Sequence, residues 1–137
     1  PLGCAAGVAT FEVFERDHIV ERVRDLGERV VKPTIEKWVD KHPSVGEVRG
    51  RGLFWAVELV RSKKTREALV PFNAKGADAA PMDELTAACK AAGVWPFTHA
   101  NRVQIAPPLI ISEEELRRGL AAIDTALDTA DKYAESK

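Results

Sequence analysis

Small apolar side chains open the chain: Ala5, Ala6, Val8 and Ala9, followed by Phe11, Val13 and Phe14. This pattern predicts a helix over residues 3–16 whose N-terminal half lets another backbone come close. Asp17 stands where an N-cap would start the next helix, with Glu21 in its first turn. Ile19, Val23, Leu26 and Val30 then recur at helical spacing, and Val31, Ile35 and Trp38 continue the stripe as it drifts. Pro33 falls inside that helix, and its missing N–H predicts a kink near Thr34. The helix stops before His42-Pro43, because a residue preceding proline avoids the helical region.

The period changes between Val45 and Val60. Leu53, Trp55, Val57 and Leu59 alternate with Phe54, Ala56, Glu58 and Val60, which predicts a strand covered at least in part on both sides. Gly46, Gly50 and Gly52 suggest a turn or bulge where the backbone is crowded. Residues 61–80 are polar and punctuated by Pro71, Asn73 and Gly76, the marks of a surface loop with one helical turn. Met82 to Ala92 reads as a helix ended by Gly93. Two short strands follow, 94–98 and 102–106, joined by a hairpin turn at His99-Ala100-Asn101. Ser112 with Glu115 forms a capping box, and Leu116, Leu120, Ile123, Leu127 and Ala130 line one face of the last helix. The polar tail from Lys132 is expected to fray. The fold class is therefore α+β: a two-layer sandwich of a small, mostly antiparallel three-stranded sheet with amphipathic helices.

Charge narrows the partners. The formal net charge is −1, so no basic excess draws the chain to nucleic acid. No apolar run approaches the roughly 20 residues that span a bilayer, so no membrane partner is expected. Cys4 and Cys89 lie far apart in alanine-rich segments and read as buried free thiols, in keeping with a reducing cytoplasm. The chain opens Pro1-Leu2-Gly3-Cys4, without an initiator Met and inside a helix-like pattern. That suggests an N-terminus produced by cleavage or by a designed boundary.

Few residues offer chemistry. His18, His42 and His99 are isolated in sequence and read as surface or capping groups, and no metal-ligand spacing is present. Glu113, Glu114 and Glu115 suit a helix N-terminus by their charge. Arg22, Arg24, Arg29 and Lys32 read as a solvated helical face. Arg102 and Gln104, two apart on a strand, leave the same face, while Val103 and Ile105 take the other. Arg102 has the fork geometry to hold a substrate carboxylate. Pattern alone favours the plainer reading, a pair with an acidic residue at the sheet edge.

Three segments together resemble class III aminotransferases. Pro1-Leu2-Gly3-Cys4-Ala5-Ala6 is similar to the segment that follows their T-Y-S-G turn. Val48-Arg49-Gly50-Arg51-Gly52-Leu53, running on to Glu58-Leu59, resembles the strand that opens their small C-terminal domain. Ile105-Ala106-Pro107-Pro108-Leu109, followed by Ile111-Ser112 and Glu114-Glu115-Leu116, resembles their Pro-Pro turn into the last helix. The resemblance covers essentially the whole chain.

It implies a C-terminal portion of a fold type I enzyme. Residues 1–16 would be the helix from the end of the large domain, and 17–137 the small domain. The parent would be a homodimer moving an amino group from an amino acid or amine to a keto acid through pyridoxal phosphate. The Schiff-base lysine and the phosphate-binding residues would precede Pro1, so no cofactor is expected on this chain alone and the fragment is expected to be inactive. In the family, an arginine often occupies the strand position held here by Gln104, or the one held by Trp95 before Pro96. With neither arginine present, Arg102 is the substitute carboxylate partner, and Trp95 and Phe97 would wall an apolar part of the substrate pocket. Two alternatives stay open: another pyridoxal-phosphate reaction, and a non-catalytic interaction or dimerisation module.

Overall fold

Gly52, at φ +57°, turns the chain inside the stretch from Val45 to Val60 and splits it into two antiparallel strands. These are β1 (Val45–Arg51) and β2 (Phe54–Ser62), with Val48 opposite Val57 and Arg51 opposite Phe54. The computed structural model describes residues 1–135. After a loop, β3 (Glu67–Ala68) pairs with the far end of β2. Two more strands, β4 (Phe97–His99) and β5 (Arg102–Ile105), complete an antiparallel sheet of order β1-β2-β5-β4 with β3 attached to β2. The α+β class holds. The sheet has five strands where three were expected, because one apolar stretch makes two strands and residues 61–80 contribute another. Leu69 and Val70, beside β3 in that supposed surface loop, are buried.

Among the described residues five α-helices accompany the sheet: α1 (Leu2–Arg16), α2 (Ile19–Leu26), α3 (Lys32–Lys41), α4 (Ala80–Ala91) and α5 (Glu113–Asp131). Asp17 is not an N-cap. It ends α1 with its carboxylate on Arg16, and His18, in the left-handed region at φ 49°, starts α2. The break foreseen near Thr34 lies one turn earlier, as a wide π-helical turn over Gly27–Val31 that leads into Pro33 at the start of α3. Proline offers no N–H to the carbonyl four residues back and its ring crowds that carbonyl. The wide turn, closed by Lys32 N–H on the Gly27 carbonyl, resets the helix just before it.

Trp55, Val57, Leu59, Val103 and Ile105 leave one face of the sheet for a single apolar cluster. Val30, Ile35 and Trp38 join it from the α2–α3 arm, Leu85 and Cys89 from α4, and Leu116, Leu120 and Leu127 from α5. Each such side chain contributes about 1.5–3 kcal/mol by leaving water. Cover on both faces of β2 is only partial: Phe54 is 62% exposed, and Ala56 and Glu58 are half-buried. The Gly93 stop is a Schellman motif, with φ +82° at Gly93 and the N–H groups of Gly93 and Val94 donating to Lys90 and Cys89 carbonyls. Both bonds of the Ser112 capping box form. The tail is tied down through Glu135, whose N–H donates to Arg61 O at 2.7 Å, while the Tyr133 hydroxyl donates to Glu84 at 2.6 Å.

His42 overturns its surface reading. It is buried, with Nδ1 2.7 Å from Asp131 Oδ2 and Nε2 2.8 Å from Asp124 Oδ1. Each ring nitrogen therefore has a carboxylate oxygen at hydrogen-bond distance, so the buried imidazole is satisfied on both sides. Asp131 also accepts from Ser44 N and Oγ, which ties the α3–β1 corner to α5. Burial pushes the Asp124 carboxyl up, but hydrogen bonds from Lys41 and His42 outweigh it and hold the group below its ordinary value. Cys89 is buried as expected, whereas Cys4 is exposed, because α1 has no buried residue at all.

Candidate functional site

The register of β5 assembles the sequence-predicted residues into rows. Gln104 lies between Ala56 of β2 and Phe97 of β4, and Arg102 lies between Glu58 and His99. Directly opposed residues share a face, and Val103 and Ile105 are buried on the other one. Phe97, Gln104 and Arg102 therefore occupy the open face of the sheet, opposite the core, with Gln104 and Arg102 half-buried. Phe97 is 62% exposed. Phe72, from the loop after β3, stands edge-on to His99 at 6.4 Å and lengthens this aromatic border.

Arg102 does not make the expected pair with an acidic neighbour. The carboxylate opposite it, Glu58, accepts instead from Arg49 at 2.9 Å. Among the described residues Arg102 makes no ion pair or side-chain hydrogen bond. A guanidinium left unpaired on an open sheet face is chemically suited to a planar anion, which it can grip with two parallel N–H bonds.

Trp95 and Gln104 meet at a groove of about 380 Å³ at the end of the sheet. Its walls are the segment after α4 (Gly93 to Pro96), the segment from Gln104 to Pro108, and the start of α5. The strand predicted over 94–98 is only Phe97–His99, because the Schellman turn and Pro96 keep Val94 and Trp95 out of the ladder. Trp95 is 82% exposed, with Lys90 Nζ 4.1 Å from its ring centroid. Arg102 and Phe97 lie outside the groove lining, on the adjoining sheet face. No lysine lines the groove. Lys32 and Lys41 pair with Glu28 and Asp124 on the surface, and Lys137 lies outside the described residues.

Sequence reasoning missed two arginines. Arg22 of α2 donates to the carbonyls of Leu109 (2.9 Å) and Ile111 (2.5 Å), in the turn that follows the groove's proline wall. Arg29 donates to Glu113 at 2.7 Å and to Asp25 at 3.1 Å, and Arg117 joins Glu113. Arg29 first, then Arg117, pulls the Glu113 carboxyl down to about 2. What read as a solvated face clasps the start of α5, and partners more than eighty residues away leave no local sequence signal. A second corner is also legible only in space. His42, Asp128 and Asp131 place donor atoms within 4.8 Å of one another, yet hydrogen bonds to Asp131 and Asp124 already engage both ring nitrogens.

Comparison with known proteins follows the same lines. The family model described as "Aminotransferase class-III" matches residues 1–127. An ornithine aminotransferase of Bacillus cereus is 37% identical over 93% of this chain and 27% of its own length. The (R)-1-hydroxy-2-aminoethylphosphonate ammonia-lyase of Vibrio splendidus is 32% identical over 93% of this chain and 25% of its own. Among solved structures, a taurine:2-oxoglutarate aminotransferase from Bifidobacterium kashiwanohense, in complex with PLP and glutamate, superposes with a TM-score of 0.85 at 34% identity. That match covers 96% of this chain and 28% of the other. The chain thus spans about a quarter of the length of the proteins it matches.

Proposed function

We propose that this chain, which belongs to the class III aminotransferase family, is the substrate-facing C-terminal portion of a pyridoxal-phosphate enzyme that moves an amino group from an amino acid or amine to a keto acid. Residues 1–16 would end the large domain and 17–137 form the small one. This division fits the contrast between α1, which buries nothing, and the packed remainder. The parent would be a cytoplasmic homodimer. The cofactor supplies the electron sink for such chemistry when bound. That no lysine lines the groove supports a cofactor held by the rest of the parent enzyme. The chain contributes recognition, and alone it is expected to be inactive.

The observation that carries this reading is the unpaired Arg102 on the same open face as Gln104 and Phe97, beside the groove that holds Trp95. Arg102 would grip a substrate carboxylate, Gln104 would hydrogen-bond it, and Trp95 and Phe97 would exclude water from its apolar part. The test is steady-state kinetics of the full-length enzyme that contains this segment. Arg102→Gln should raise KM for the carboxylate substrate by roughly ten- to a hundredfold, the loss of one charged hydrogen-bonded pair, with kcat little changed. No amino transfer across a panel of amino acids and amines, with cofactor bound, would refute the reading.

A second reaction has one observation in its favour, the ammonia-lyase among the relatives. Release of free ammonia without consumption of a keto acid would identify it.

A further inference from the structure

Arg22 sits on α2, away from the open sheet face, yet both arms of its guanidinium end on one turn. Nη1 donates to Leu109 O at 2.9 Å and Nη2 to Ile111 O at 2.5 Å. That turn begins at Pro107 and Pro108, and Pro107, Pro108 and Ile111 wall the groove that Gln104 and Trp95 also line. Its own backbone supplies one closing bond, Ile111 N–H to Pro108 O at 3.0 Å. The two prolines donate nothing, and Leu109 and Ile110 stand exposed. Ile111 is partly buried against the core, so the Arg22 fork and this one apolar anchor together fix where the wall stands.

A charged fork on two carbonyls is a strong and directional tie. It also holds Gln104 indirectly, because β5 runs straight into Pro107 two residues after its last strand position. Arg29, one helical turn beyond the end of α2, grips Glu113 in parallel and fixes the first turn of α5. Arg29 therefore holds the helix, while Arg22 holds the turn.

We propose that Arg22 is a positioning residue for substrate recognition: through the Leu109 and Ile111 carbonyls it sets the proline wall of the groove and the end of β5 that carries Gln104. The proposal rests on the reading of this groove and sheet face as the substrate surface. Arg22 touches no substrate. Its loss lets the wall move, so the contacts that recognise the substrate no longer line up and its binding weakens.

The experiment compares Arg22→Lys, Arg22→Gln and Arg102→Gln in the full-length holoenzyme. Measurements are KM and kcat for the amino donor, the donor affinity from the cofactor's absorbance change in the first half-reaction, and the melting temperature. Lysine keeps the charge but loses the fork. The expected result is a rise of about tenfold or more in KM and in half-reaction dissociation constant for Arg22→Gln. Arg22→Lys should give a smaller rise, with kcat within about threefold and the melting temperature nearly unchanged. A lowered melting temperature with unchanged KM would overturn the proposal, since Arg22 would then be a stability element alone. An Arg22→Lys enzyme that cannot fold would overturn it for the same reason. If Arg102→Gln raises KM and the Arg22 variants do not, this inference fails while the recognition surface stands. If none of the three moves KM, the recognition surface itself fails.

Discussion

Gly27 and Gly119 are both helical glycines, and the same change to alanine should shift stability in opposite directions. An alanine Cβ at Gly27 would lie 2.4 Å from the carbonyl oxygen of Gly52, 2.5 Å from its Cα and 2.7 Å from its carbonyl carbon. Every one of those atoms is backbone, so no side chain can swing aside. The two segments must part by about 1 Å to reach ordinary contact. The Gly52 carbonyl also accepts the buried Trp55 Nε1 at 2.7 Å, and parting strains that bond. Overpacking of this kind costs about 1–3 kcal/mol, and a compromised buried hydrogen bond adds about 1–3 kcal/mol. Gly27 has helical backbone angles, so alanine recovers about 0.5–1 kcal/mol of helix propensity. The net expectation for Gly27→Ala is a loss of about 1–5 kcal/mol. At Gly119 a Cβ meets nothing within 4 Å, so only the propensity gain applies and the variant should be about 0.5–1 kcal/mol more stable. Urea unfolding followed by tryptophan fluorescence reads both, with Trp38 and Trp55 buried as reporters. Equal midpoints for Gly27→Ala and the parent would refute the claim that α2 and the β1–β2 turn touch backbone to backbone.

Two further outcomes follow from charged groups. His42→Phe leaves the carboxylates of Asp124 and Asp131 facing an apolar ring in a partly buried corner. It should cost about 2–4 kcal/mol, read by the same urea unfolding, and an unchanged midpoint would sink the bridging role. The Glu113 carboxyl, held down to about 2 by Arg29 and then Arg117, stabilises the fold fully above the ordinary glutamate value of 4.5 and loses that contribution as pH falls towards about 2. Glu113→Gln should therefore flatten the pH dependence of the melting temperature across that window. Parallel curves for variant and parent would show that the Arg29 clasp carries no stability.

Within-element chemistry was legible before any coordinates. The Ser112 capping box, the Gly93 stop, the buried stripe of α5 and the opposite faces of Arg102 and Val103 all need only neighbours a few residues apart, and all formed as read. The motifs from Pro1 to Leu116 likewise carried the family. Errors arose wherever the deciding partner was distant. One apolar run became two strands because Gly52 can turn at a positive φ and Gly27 gives it room, a contact between residues 25 positions apart. The helix break moved ahead of Pro33 to where the backbones cross, whereas Asp17 lost its cap role to an adjacent residue, Arg16.

The sequence by itself determined the Ser112 cap, the inward face of α5 and the family the chain belongs to, because those signals are written in short-range periodicity and spacing. Only the tertiary structure decided that His42 is an internal bridge, that Arg22 and Arg29 clasp the start of α5 and the turn before it, and that Arg102 is unpaired among the described residues. The physical reason is that a charged side chain's role depends on which carbonyl or opposite charge is brought within its reach, and long-range packing decides that. Glu58 turned to Arg49 across the β1–β2 pair, which left Arg102 available on the open face.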